Sequence, residues 1–223
     1  MALKSETRPV HGFSEVVLRA YGKLIIEQTT DPQAEGISVE ADEELLPRIS
    51  TEVRGRRLLL GFAMPWYEWI GYWFTWLLLA DKHITYRLVA LRVEDVAISG
   101  SGTVQCTGLN GDNLRLRISG SGRVSVGGLT IGALEAVISG SGRVDCEGSA
   151  QSIEARISGS GRVEAEALAA NRARAHISGS GRIGVDSRES LEVCISGAGK
   201  VRYRGNPRVS SHVSGAGRIV RVA

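Results

Sequence analysis

Serine and glycine in a fixed order carry the first chemical suggestion in this chain. Ile-Ser-Gly-Ser-Gly begins at Ile98, Ile118, Ile138, Ile157 and Ile177; ISGAG follows at Ile195 and VSGAG at Val213. A glycine-rich loop cradles a phosphate when it leads from a strand into a helix N-terminus. No helical stretch follows any copy here, and a motif repeated in every unit must serve the fold. The glycines therefore read as tight corners between strands.

A second set is cationic. The sixth position of the unit reads Thr103, Arg123, Arg143, Arg162, Arg182, Lys200 and Arg218. If successive units stack, Arg123, Arg143, Arg162, Arg182, Lys200 and Arg218 form one basic column. Such a column fits an acidic glycan or anionic headgroups. It also fits a solvated edge whose like charges deter stray pairing, with Asp145, Glu164, Glu135 and Glu154 as neutralising neighbours.

The third set is aromatic. Residues 62–80 read FAMPWYEWIGYWFTWLLLA and hold eight of the 12 aromatic residues, including all 4 tryptophans. Trp66, Trp69, Trp73 and Trp76 are spaced for one face of a helix, and Pro65 suits its first position. A β-hairpin is the alternative, because aromatics favour strands. A helix over 65–80 would span about 24 Å, short of the ~30 Å hydrocarbon core. Tryptophan and tyrosine favour the bilayer interface. Three roles compete: a cap on the solenoid, a self-association surface, and a membrane contact. The last two can coexist, and their contact set would be Phe62, Trp66, Tyr67, Trp69, Ile70, Tyr72, Trp73, Phe74, Trp76, Leu77 and Leu78.

No catalytic or metal-binding constellation accompanies these sets. His11, His83, His176 and His212 share no metal-ligand spacing, although His176 and His212 fall in one outward column two coils apart. Asp145, Glu164 and Asp186 are a loose acidic scatter that reads as solvated surface. Nucleophile elbow, P-loop, zinc knuckle and calcium-binding GGxGxD repeat are all missing. The expectation is no catalytic residue, no metal and no cofactor.

The elements that must position these residues follow from the repeat. The corner motifs are 20, 20, 19, 20, 18 and 18 residues apart. Between them runs period-two alternation: Leu114, Leu116 and Ile118 are apolar, while Arg115, Arg117 and Ser119 are polar. That pattern argues strands with one buried face, and a period near twenty matches one coil of a β-solenoid. Equivalent residues in neighbouring coils lie about 4.8 Å apart, so like side chains stack into ladders. Each buried Ile or Val contributes roughly 1.5–3 kcal/mol. Cys106 and Cys146 share an inward column two coils apart, about 9.6 Å and beyond disulfide reach. Cys194 points outward, so three free thiols are expected.

The predicted fold is all-β: a single right-handed parallel β-helix, or β-solenoid, with coils of about 18–20 residues and the aromatic insertion. Residues 1–12 read as a tail and 13–223 as the solenoid, with degenerate coils over 13–97 and regular ones over 98–223. In the degenerate part, Leu18, Gly22, Lys23 and Leu24 align with the Ile, second Gly, basic and Val positions of ISGSGRV. Strands are expected at 37–41, 49–53, 57–61 and 84–88.

Composition narrows the partners. The 223 residues include 28 Gly and carry a net charge of +3. By halves the charge is −3 over residues 1–97 (11 Lys+Arg, 14 Asp+Glu) and +6 over 98–223 (16 and 10). These values exclude a disordered chain and fall far from a nucleic-acid-binding signature. No every-third-residue glycine occurs, which excludes collagen.

The chain resembles the auto-transporter adhesin family with the head GIN domain. The resemblance rests on the opening Val10-His-Gly-Phe13-Ser-Glu-Val-Val17, on Ile37-Ser-Val-Glu-Ala41 followed by Leu45-Leu46, and on the serial ISGSG units. It implies a parallel β-helix-like fold in envelope or exported bacterial proteins, with no established enzyme activity and no catalytic residues to carry over. The opening MALKSETRPVHGFSEVVL has no apolar stretch after its first charges and does not read as a signal peptide. The compartment therefore stays open between cell envelope, extracellular, cytoplasmic and peripheral membrane.

Together these readings point to a non-enzymatic structural or adhesion-type module that forms homo-oligomers and contacts membrane lipid through the tryptophan segment. The alternative is a carbohydrate-binding or carbohydrate-processing β-helix that holds an acidic glycan on the Arg/Lys column.

Overall fold

The computed structural model describes residues 3–19, 21–62 and 84–222. The alternating stretches all become strands. In chain order these are β1 (Leu3–Arg8), β2 (Glu15–Leu18), β3 (Lys23–Gln28), β4 (Gly36–Asp42), β5 (Ile49–Arg54), β6 (Arg57–Phe62), β7 (Thr85–Ala90), β8 (Asp95–Gly100) and β9 (Thr103–Thr107). The regular coils follow as β10 (Asn110–Gly120), β11 (Arg123–Gly140), β12 (Arg143–Gly159), β13 (Arg162–Gly179), β14 (Arg182–Gly197), β15 (Lys200–Arg204), β16 (Arg208–Ser214) and β17 (Arg218–Arg221). They pair in parallel through about six turns of a β-solenoid.

The ladders are in register. Ile98, Ile118, Ile138, Ile157, Ile177 and Ile195 are successive neighbours, and so are Val104, Val124, Val144, Val163, Ile183 and Val201. All are buried, and they form the core with Leu116, Ala136, Ala155, Ala175 and Val193 between them. Cys106 and Cys146 flank Val126 in one buried column, which keeps the two thiols apart.

The corners explain the glycines. Gly120, Gly140, Gly159 and Gly179 all have φ between +122° and +124°, a conformation that only glycine adopts without strain. Each corner also bonds to the one below it: Ser141 N–H donates to Gly120 O at 3.0 Å, and Arg143 N–H to Gly122 O at 2.9 Å. Those N–H groups are spent on stacking, so the corner cannot present them to a phosphate.

The first ninety residues depart from a plain series of coils. Leu18, Lys23 and Leu24 do take the Ile98, Thr103 and Val104 positions. However, β4 is antiparallel to β7, β5 is antiparallel to β6, and β1 is antiparallel to β4. Residues 13–97 therefore combine true coils with antiparallel ribbons, and residues 3–8 of the expected tail form an edge strand. The physical reason at β5–β6 is a two-residue turn: Arg54 faces Arg57 across Gly55-Arg56, with Gly55 at φ +61°. A turn that short can only reverse the chain.

Stacking order also differs from chain order. β2 lies between β6 and β8, and β3 lies between β7 and β9. The coil made of β6 and β7 thus stacks outside the earlier coil made of β2 and β3. The ribbons β5 and β4–β1 extend the two sheets beyond it, while buried Leu45, Leu46, Val10 and Phe13 join the core. At the other end, β16 and β17 form the last coil, and no described strand covers them.

Candidate functional site

The basic column forms as the repeat requires. Arg123, Arg143, Arg162, Arg182, Lys200 and Arg218 are consecutive register partners, continued below by Thr103 and Lys23. Its charge is not uniform. Arg143 Nε lies 2.8 Å from Asp145 Oδ1, and Arg162 Nε lies 3.6 Å from Glu164 Oε1. Arg123, Arg182, Lys200 and Arg218 make no ion pair with a described residue.

Alternation could have foretold this. Two residues along a strand return to the same face, where Arg143 finds Asp145 and Arg162 finds Glu164. Arg123 and Arg182 find only Ser125 and Gly184. Glu135 and Glu154 do not neutralise the column. They lie on the other arm of the coil, where Glu135 pairs with Arg115 at 2.6 Å and with Arg156 at 2.7 Å, and Glu154 pairs with Arg156 at 2.6 Å.

On that same arm the register places Cys194 between His176 and His212. The two 18-residue steps 176→194→212 equal the repeat length there, a signal the histidine spacing alone did not give. Among the described residues, no three His, Cys, Asp or Glu side chains gather to hold a metal ion.

The aromatic segment enters at a corner. Leu18 and Lys23 flank four residues, whereas their register partners Leu60 and Thr85 flank 24. The described chain therefore ends at Phe62 and resumes at Ile84 on either side of this longer connection. Phe62 packs its ring against Tyr21, with centroids 5.6 Å apart and planes tilted by 32°. It belongs to the packing around the core rather than to a free contact surface. Trp66, Tyr67, Trp69, Ile70, Tyr72, Trp73, Phe74, Trp76, Leu77 and Leu78 lie outside the described residues.

A family model described as "Putative auto-transporter adhesin, head GIN domain" matches residues 12–207. The chain belongs to this family. The head GIN match covers β2 through β15 and leaves β1, β16 and β17 outside it. Solved structures share the fold. A putative adhesin from Bacteroides fragilis is 24% identical, with a TM-score of 0.86 over 99% of this chain and 97% of that one. A protein from Parabacteroides distasonis described as a putative lipid binding protein is 19% identical, with a TM-score of 0.75 over 99% and 97%. A putative adhesin from Parabacteroides merdae is 20% identical, with a TM-score of 0.72 over 99% and 96%. No curated protein matches the chain.

Proposed function

We propose that this protein is a non-enzymatic, adhesion-type solenoid that holds a tryptophan-rich element at one end for contact with a membrane and with further copies of itself. One observation carries the reading. Leu60 and Thr85 are the register partners of Leu18 and Lys23, yet 24 residues separate them where four separate the other pair. A rigid stack of strands fixes where that segment leaves and returns. All four tryptophans of the chain lie in it, and tryptophan partitions to the headgroup boundary of a bilayer.

Replacing Trp66, Trp69, Trp73 and Trp76 by Ser is expected to lower co-sedimentation with liposomes roughly tenfold or more, and to lower the native mass. If both the membrane fraction and the mass stay unchanged, the reading is wrong.

The register of the basic column supports a second reading, an acidic glycan bound along that face. The unpaired members would carry it, because Arg143 is hydrogen-bonded to Asp145 and Arg162 lies 3.6 Å from Glu164. Arg182→Ala with Lys200→Ala is therefore expected to abolish any acidic-glycan signal on an array, and Arg143→Ala to leave it largely intact. The reverse order of effects would remove this reading.

A further inference from the structure

The ladder on one arm of the coil stops at β16, and its last inward side chains are bare. Val209, Ser211 and Val213 continue the columns of Leu191, Val193 and Ile195. One rung in, those three are at most 1% exposed, whereas Val209 and Val213 are each 39% exposed. What buries Leu191 and Ile195 is the strand stacked above them, and β16 has no described strand above it. Its backbone pairs with β14 along one edge; the other row of donors and acceptors has no described partner.

The same end is basic. Residues 198–222 hold six Lys+Arg and no Asp or Glu. Glu164 and Glu166 engage Arg202, while Lys200, Arg204, Arg208, Arg218 and Arg221 make no ion pair with a described residue. Glu192 stands next to β16 as the register partner of Ser210, but it pairs with Arg174 at 3.2 Å.

Three features therefore coincide: a free backbone row, two bare valines on one face, and cations without counter-charge. An anionic bilayer or a flexible polyanion would answer the charge alone. An extended strand with apolar residues at alternate positions and acids between them answers all three. Its backbone completes the row, its apolar residues cover Val209 and Val213, and its acids face Arg208. The chain itself offers no such complement at its far end, where β1, β4, β5 and β6 with their turns carry as many bases as acids. Two copies of the basic end face to face would oppose like charges.

We infer that β16 accepts an acidic, alternately apolar strand of another protein as the next rung of the solenoid. This acceptor edge lies at the opposite end from the aromatic connection and is independent of the membrane contact proposed for it.

The probe is a fluorescein-labelled peptide of alternating Glu and Val, matched to the 7 residues of β16. One control peptide carries Lys in place of Glu. A second is N-methylated at two neighbouring central amides, which keeps every charge and removes a donor from each edge. Anisotropy is followed as the full chain is added, and circular dichroism verifies the fold of each variant. The Glu/Val peptide is expected to saturate at one per chain, and both controls to bind roughly tenfold or more weakly. Arg208→Glu and, separately, Val213→Lys should each weaken the Glu/Val peptide by a similar factor. Arg54→Glu, the same charge change in a turn at the other end, should not. Should Val213→Lys unfold, Arg208→Glu alters only an outward side chain and carries the comparison. No binding, equal binding of the N-methylated peptide, or an unchanged affinity in Arg208→Glu would each overturn the inference. Equal binding of the N-methylated peptide would mean that charge alone is at work, as for a bilayer or a polyanion. None of these results touches the tryptophans, whose liposome test stands apart.

Discussion

Gly140→Ala is expected to destabilise the protein by about 3 kcal/mol or more, combining backbone strain with a steric clash. Gly140 holds φ at +124°, and a Cβ there would lie 2.5 Å from Gly120 O in the coil below. That oxygen accepts the Ser141 N–H at 3.0 Å, so it cannot retreat without breaking the bond that joins the two corners. Gly100→Ala separates the two costs. Gly100 has φ +123°, but nothing lies within 4 Å of its added Cβ. It should pay strain alone, about 1–2 kcal/mol. Urea unfolding of both variants checks the comparison. Equal losses would mean that the close stacking of corners adds nothing.

The second expectation concerns thiols. Burial pushes the Cys106 and Cys146 thiols up to about 12, from an ordinary value near 9. For Cys146, nearby Cys106 and Asp145 push in the same direction. At pH 8 the thiolate fraction of such a group is on the order of one in ten thousand, and the thiolate is the reactive form. Cys194 is partly exposed on the outward face. A thiol reagent at pH 8 should therefore modify one cysteine quickly, and the other two only after denaturant is added. Mass mapping of the labelled peptide should find Cys194. Fast labelling of three equivalents would show that the coil interior opens to water. The alkaline sign follows: between pH 9 and about 12 the folded chain retains protons that the unfolded chain has released, so stability falls as pH rises through that window.

What the sequence disclosed and what it hid divide along a physical line. A twenty-residue repeat fixes which residues become neighbours, so the Ile ladder, the Val ladder and the basic column were all legible. Even Leu18, Lys23 and Leu24 found their places without the full motif. Alternation names a strand and its buried face, but not the direction of its partner. The stretches at 37–41, 49–53 and 57–61 are strands and that at 84–88 is one from Thr85 onward, but alternation did not show their antiparallel pairings. Arg54-Gly55-Arg56-Arg57 held the clue for one of them, since a two-residue turn with glycine forces a hairpin. β1 was hidden for another reason. Leu3–Arg8 is mostly polar and exposed, an edge strand held by its backbone pairing to β4 rather than by buried side chains. Of the candidate site, the same-face partners Asp145 and Glu164 were readable. Nothing in the aromatic run itself told which coil would carry it.

The out-of-sequence stacking at the amino-terminal end has a mechanical consequence. Tension applied at the carboxyl terminus can peel β17, then β16, each joined along a single edge. Tension at the amino terminus first strips β1 from β4, then meets β2 and β3, which are gripped on both sides. To pull either free, two rows of hydrogen bonds must shear together. The molecule is therefore a ratchet under load: it unravels readily from one terminus and resists at the other.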